Sequence, residues 1–135
     1  MGATLTWLKV VDNDRFRAQG GQVQPGLDNV VDLIGPAPAE AAPFVVLRAW
    51  HNFDTAFTES WRIVNRYGQT IHEGIPREVI AGMGSVAQGG IADEVAGQSF
   101  EFADEGYQVV LEIEGREVAR ADFEVREPSE PTSLT

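Results

Sequence analysis

Few side chains in this chain are equipped for chemistry. Histidine occurs twice, at His51 and His72, and cysteine is absent. Without cysteine there are no disulfides, no thiolate metal sites and no Cys nucleophile. A histidine metal site would need Asp or Glu partners on neighbouring strands. His51 with Asp54 and Glu59, or His72 with Glu73, are the conceivable groupings, and neither has a recognised ligand spacing. Ser60 and Ser99 lack the glycine-flanked turn that exposes a nucleophilic serine. Gly82-Met83-Gly84-Ser85 lacks the lysine of a phosphate-binding loop and reads as a bent turn. Asp12-Asn13-Asp14 lacks the glycine and distant glutamate of a helix-loop-helix calcium site. The carboxylate pairs Asp93-Glu94, Asp104-Glu105 and Glu112 with Glu114 suit a glycosidase in principle, but more simply a solvated face that blunts strand edges. The expectation is a protein with no catalytic residues, no metal and no cofactor.

The aromatic residues are the other candidates. Trp7, Trp50, Trp61 and Tyr67 are a generous supply for one small domain, and such rings anchor interfaces, stack on sugars or fill cores. Trp61 alternates in step with Phe57 and Ile63, which points to the core. Trp50 shares parity with Phe44 and Val46, but also with Arg48 and Asn52. That mixture places Trp50 and Arg48 on a partly exposed face, and they are the expected contact surface. His51, in step with Leu47 and Ala49, points the other way.

Ten basic against 21 acidic residues give a net charge of −11. A nucleic-acid backbone needs a basic patch, and an anionic membrane surface attracts cations, so the balance argues against both, and neither nucleic acid nor membrane is expected as a partner. The charge fits plain solubility first and a basic partner second. No apolar run reaches membrane-spanning length, and Met1–Phe16 does not read as a signal peptide. Met1-Gly2 with Thr6 fits a myristoylation pattern only loosely, because Leu5, Trp7 and Val10 read as a strand. Together with the lack of cysteine, this suggests the cytoplasm.

The elements that must position these residues are strands. Tyr107, Val109, Leu111 and Ile113 alternate with polar or smaller residues, and Ala119, Ala121, Phe123 and Val125 do so after a tight turn at Glu114-Gly115-Arg116. Period two means one buried and one wet face, so this is a hairpin lying on a core. Ser99–Phe102 leads into it through Asp104-Glu105-Gly106. Phe44–Phe53 is apolar on both faces and reads as a central strand. Phe57–Asn65 and Thr70–Glu73 form a second hairpin through Arg66-Tyr67-Gly68-Gln69, ended by Gly74, Ile75 and Pro76. Ala3–Val11 is a strand, Asp12-Asn13-Asp14 a turn, Phe16–Val23 a short second strand with a bulge, and Leu27–Ile34 a further strand. The prolines of Gly35–Pro43 keep it out of a sheet interior and suit a crossing between sheets. From Gly74 to Gly97, glycines predict one or two irregular strands and a long loop.

Seven to nine short strands at turn-punctuated spacing predict an all-β, antiparallel two-sheet β-sandwich, with an immunoglobulin-like arrangement leading. Asp104-Glu105-Gly106-Tyr107 has the look of the turn before a tyrosine corner, where a strand-opening Tyr caps an upstream backbone group. Residues 1–126 form one domain, and 127–135, with two prolines, a disordered tail. The runs at Phe44–Trp50, Ser60–Ile71 and Phe102–Val125 together resemble a family of small uncharacterised bacterial single-domain β-sandwich proteins of unknown function. The shared features are structural turns, so the resemblance implies a fold and carries no catalytic residues. The functional expectation is a non-catalytic protein-interaction or assembly module, with a protein partner or self-association. A carbohydrate- or small-ligand-binding sandwich is the alternative, and a metal-dependent hydrolase comes third.

Overall fold

In the computed structural model the described residues are 4–18, 29–51, 56–80 and 91–128. They form an all-β structure with several sheets, one of them curled into a half-barrel, and one short helix. The smaller main sheet joins β1 (Thr4–Asp12), β4 (Phe44–His51) and β8 (Ile91–Val95) in the antiparallel order β1-β4-β8. The larger has the order β2-β11-β10-β5-β6, from β2 (Val30–Asp32), β11 (Arg116–Arg126), β10 (Tyr107–Ile113), β5 (Phe57–Val64) and β6 (Thr70–Glu73). β7 (Arg77–Val79) also pairs with β5. A two-stranded piece joins β3 (Ala39–Glu40) to β9 (Ser99–Phe100).

β4 is the central strand of its sheet and is buried on both faces, as its unbroken apolar run implied. On one side Phe44, Val46 and Trp50 join Trp61, Ile63, Val109, Leu111, Phe123 and Val125 of the larger sheet in a single core. On the other, Val45 and Leu47 pack with Val11, Trp7 and Phe16. Phe16 belongs to α1 (Asn13–Ala18), which stands where the sequence suggested a turn and the start of a second strand. Six residues are less than two helical turns, too few for a 3.6-residue period to show. Asp14 in its first turn complements the helix dipole. The remainder of that expected strand, residues 19–23, lies outside the described residues, as do 81–90 of the glycine-rich middle and 129–135 of the expected tail.

The β10–β11 hairpin turns on Glu114 and Gly115, with φ of 50° and 78°. Positive φ at both central residues is the two-residue turn whose twist matches that of the flanking strands. The hairpin's partners are less symmetrical than its sequence: β10 is flanked by β11 and β5, while β11 takes β2 alongside it in parallel. Val110, on the expected wet face, is fully buried. Register sets it between Arg62 and Arg120, whose aliphatic stems suit covering it. Gly35–Pro43 does run between the two main sheets, from β2 to β4, but it also contributes β3.

Tyr107 opens β10 as a tyrosine corner. Its hydroxyl donates to the Phe102 carbonyl at 3.1 Å and accepts from the Phe102 amide at 3.2 Å. Burial pushes its ionisation above the ordinary phenol value, and the Asp104 and Glu101 carboxylates add to that, so it stays a neutral donor. Deleting the hydroxyl in Tyr107→Phe leaves two backbone groups without their partner. The expected loss is about 1–3 kcal/mol in urea unfolding; an unchanged midpoint would show that the corner contributes nothing.

Candidate functional site

Three strands carry a charge on an otherwise apolar parity. Phe44, Val46, Arg48 and Trp50 alternate along β4; Phe57, Glu59, Trp61 and Ile63 along β5; Ile91, Asp93 and Val95 along β8. All three charged residues therefore point into the space between the main sheets. Arg48 and Glu59 are completely buried. The Arg48 guanidinium forks onto Glu59 through Nε, at 2.8 and 3.1 Å, and through Nη2. Its Nη1 donates to the Val46 carbonyl at 3.2 Å, and Nη2 also meets Asp93 Oδ2 at 2.9 Å. Two indoles complete the set: Trp50 Nε1 donates to Glu59 at 2.7 Å and Trp61 Nε1 to Asp93 Oδ2 at 2.9 Å. Arg77, opposite Glu59 in the β5–β7 register, bonds Asp93 Oδ1 through Nη2.

This corrects the expected contact surface. Trp50 is 2% exposed and Arg48 not at all, so neither can meet a partner. The mixed parity that suggested an outward face reflects an inward guanidinium whose three nitrogens each have an acceptor. Buried charges survive where they are paired and hydrogen-bonded, as Arg48 and Glu59 are.

One donor in the network has no such partner. Arg77 Nε is buried without an acceptor. Asp93 would be its natural acceptor in a two-bond fork. However, Oδ1 already takes Arg77 Nη2, and Oδ2 is shared between Arg48 and Trp61. Arg77 also lines a cleft of about 640 Å³, together with Trp61, residues 72–76 and residues 93–96.

The cleft exists because β6 and β7 lie end to end along one edge of β5, with a break between them. At the break Gly74 donates to the Trp61 carbonyl at 2.8 Å. A Cβ on Gly74 would stand 2.3 Å from the Trp61 indole, so only glycine lets the backbone lie on that ring. Pro76 has no amide hydrogen to donate to β5. Chain leaving β5 here turns Ile75 outward, 85% exposed at the lip. The opposite wall is the end of β8.

The other expected groupings are not assembled into sites. His72 stacks on Trp61 with ring centroids 5.5 Å apart, and its Nδ1 pairs with Gln98 at 2.9 Å. The side chain of His51 and all of Asp54 lie outside the described residues. Asp93 and Glu94, adjacent on a strand, face opposite sides: Asp93 turns into the network and Glu94 toward Asn13 at 3.3 Å and Arg17 at 3.8 Å. Glu112 pairs with Arg62 at 2.5 Å, and Glu114 accepts from the Thr58 amide at 2.8 Å. Asp104 holds Arg66 at 3.1 Å and caps the Gly106 amide. Among the described residues no group of three His, Asp or Glu side chains converges as a metal site.

No family model matches this chain, and no curated protein is similar to it at a significant level.

Two predictions come from the network. Glu59→Gln strands the buried Arg48 charge and costs about 3–5 kcal/mol in denaturant unfolding. Arg48→Met combined with Glu59→Leu removes both charges, so the pair should cost less than the sum of the single changes; strict additivity would show that the two do not interact. The second prediction concerns acid. Burial pushes the Asp93 carboxyl up, but the Trp61 hydrogen bond and the Arg48 and Arg77 guanidinium groups outweigh it and hold the pKa below the ordinary value. Ionised Asp93 thus contributes stability that is complete above the ordinary carboxylate range of about 4 and is lost as pH falls through the depressed folded value. Unfolding midpoints measured downward from neutral pH should fall less steeply in Asp93→Asn than in the parent; parallel profiles would remove Asp93 from the acid response.

Proposed function

We propose that this protein is a non-catalytic protein-interaction module and that the cleft between the β6–β7 break and β8 is its contact surface. The observation that carries this reading is the exposure of Ile75 on the lip of a cleft framed by β5, β6, β7 and β8. A large aliphatic side chain held at 85% exposure beside a concave surface is the kind of anchor interfaces use. The ionisable groups behind the cleft are committed to one another, which supports a structural rather than a reacting role for Arg48, Glu59 and Asp93. A sugar-binding reading needs an open aromatic face; Trp50 and Trp61 are both buried, and Tyr67, 67% exposed, does not line the cleft. For the architecture we propose an immunoglobulin-like sandwich. The core shared by both main sheets and the tyrosine corner support it. No described helix is long and apolar enough to cross a membrane. We read the compartment as cytoplasmic from the lack of cysteine.

A photo-activated cross-linking residue at position 75 tests the reading in the producing cells, against the same residue at Val118, which is 48% exposed on the β10–β11 hairpin. Position 75 is expected to yield one or a few discrete protein adducts and position 118 none. Equal cross-linking at both positions, or none at 75, would sink the assignment.

A further inference from the structure

We propose that the occupant of the cleft is an extended segment of a partner protein that adds as a strand to the outer edge of β8; the inference rests on the cleft being the contact surface. β8 ends its sheet. One of its edges is bonded to β4, and no described strand lies along the other. In an antiparallel pair every second residue turns its N–H and C=O away from the partner, so a terminal strand carries an outward row of donors and acceptors. The cleft meets this row. Asp93 turns inward to the ion network and Glu94 the other way to Asn13 and Arg17, yet both border the cleft, together with Val95 and Ala96. Consecutive residues that face opposite ways share only the edge of the strand. The facing wall is consecutive too, residues 72–77, which run from the end of β6 across the break into β7. The cleft is therefore a slot between strand edges of the two main sheets.

Edges that must stay single are blunted by proline, lysine, bulges or inward charges. β8, Ile91-Ala92-Asp93-Glu94-Val95, has neither proline nor lysine, and its register with β4 runs without a bulge. Its one inward charge, Asp93, is neutralised by Arg48 and Arg77. The other end of the same sheet is treated differently. There Asn29 covers β1, donating its amide to the Val10 carbonyl at 2.5 Å and accepting the Val10 amide on Oδ1 at 3.2 Å. A strand edge also sets the class of occupant, because alternating donors and acceptors at strand spacing are what another polypeptide backbone supplies. β8 is five residues long, so the added strand is short and needs a further anchor. Every second side chain of an added strand turns toward the larger sheet, where Trp61, Ile75 and Pro76 give apolar contact.

The test is selection of a displayed random peptide library on the full-length protein and on Ile75→Arg, followed by an ester scan of the most enriched peptide. Ile75 is exposed, so the variant should keep the parent's unfolding midpoint. Replacing one backbone amide by an ester removes a single N–H and leaves the side chain in place. The expected result is enrichment on the parent that is lost on Ile75→Arg. In the scan, affinity should fall roughly three- to tenfold at every second ester position of the bound segment and little at those between. Amides of β8 should exchange with solvent more slowly when the peptide is bound. Ester effects without a period of two, or slowed exchange at β6 and β7 in place of β8, would overturn strand addition while leaving the cleft as the contact surface. A concentration-dependent dimer of the parent in sedimentation, lost in Ile75→Arg, would put a second copy of this chain in the cleft and overturn the partner segment. Enrichment insensitive to Ile75→Arg, or no enrichment at all, would overturn both the strand addition and the contact surface.

Discussion

The fully buried pairing of Arg48 with Glu59 constrains more of this structure than any apolar contact does. A guanidinium and a carboxylate taken out of water recover their solvation only through near-complete pairing. Arg48 therefore requires Glu59 from the opposite sheet, Asp93 from the adjacent strand and the carbonyl of Val46. Glu59 and Asp93 each take an indole N–H as well, which gives Trp50 and Trp61 the partner that a buried indole needs. Any relative shift of β4, β5 and β8 by one residue would turn these charges to the wrong faces and leave several of them bare. The ion network thus acts as a register pin between two sheets whose shared apolar core is non-directional. Its own contribution to stability is another matter, since an apolar replacement of matched volume can do as well.

The cleft is a consequence of the same arrangement. Asp93 has only two oxygens, and it serves Arg48, Trp61 and Arg77 with them. Arg77 sits where the β5 edge is interrupted, because Gly74 lies against Trp61 and Pro76 has no donor. The end of the ion network and the gap in the sheet edge therefore coincide. A buried polar donor without an acceptor and an apolar lip meet there for reasons that trace back to the backbone at residues 74–76.

Much of the strand pattern was legible from residue order. The alternation in β10 and β11, the positive-φ turn at Glu114-Gly115, the double burial of β4 and the capping role of Tyr107 follow from local chemistry, and local chemistry is what a sequence displays. The six-residue helix α1 was not legible, being shorter than its own period. Arg48 and Trp50 were misplaced for a different reason. A charged residue on an apolar strand face signals either exposure or an inward pair, and one strand alone does not distinguish them. The missing signal was present on two further strands: Glu59 between Phe57 and Trp61, and Asp93 between Ile91 and Val95. Opposite charges recurring on the apolar parity of three strands are the mark of an internal ion network.

By itself the sequence determined the period-two strands, their turns, the acidic surface and the absence of cysteine chemistry, because each depends on residues within a few positions of one another. Only the tertiary structure decided which strands became neighbours, and so which of the inward charges met. β4 and β8 are separated by some forty residues, yet they lie side by side in one sheet, and β5 comes to face them from the other. That pairing depends on register and sheet order, which are long-range properties. The same long-range choice set Arg77 beside Asp93 at the break after β6, turning a glycine–proline interruption into a cleft.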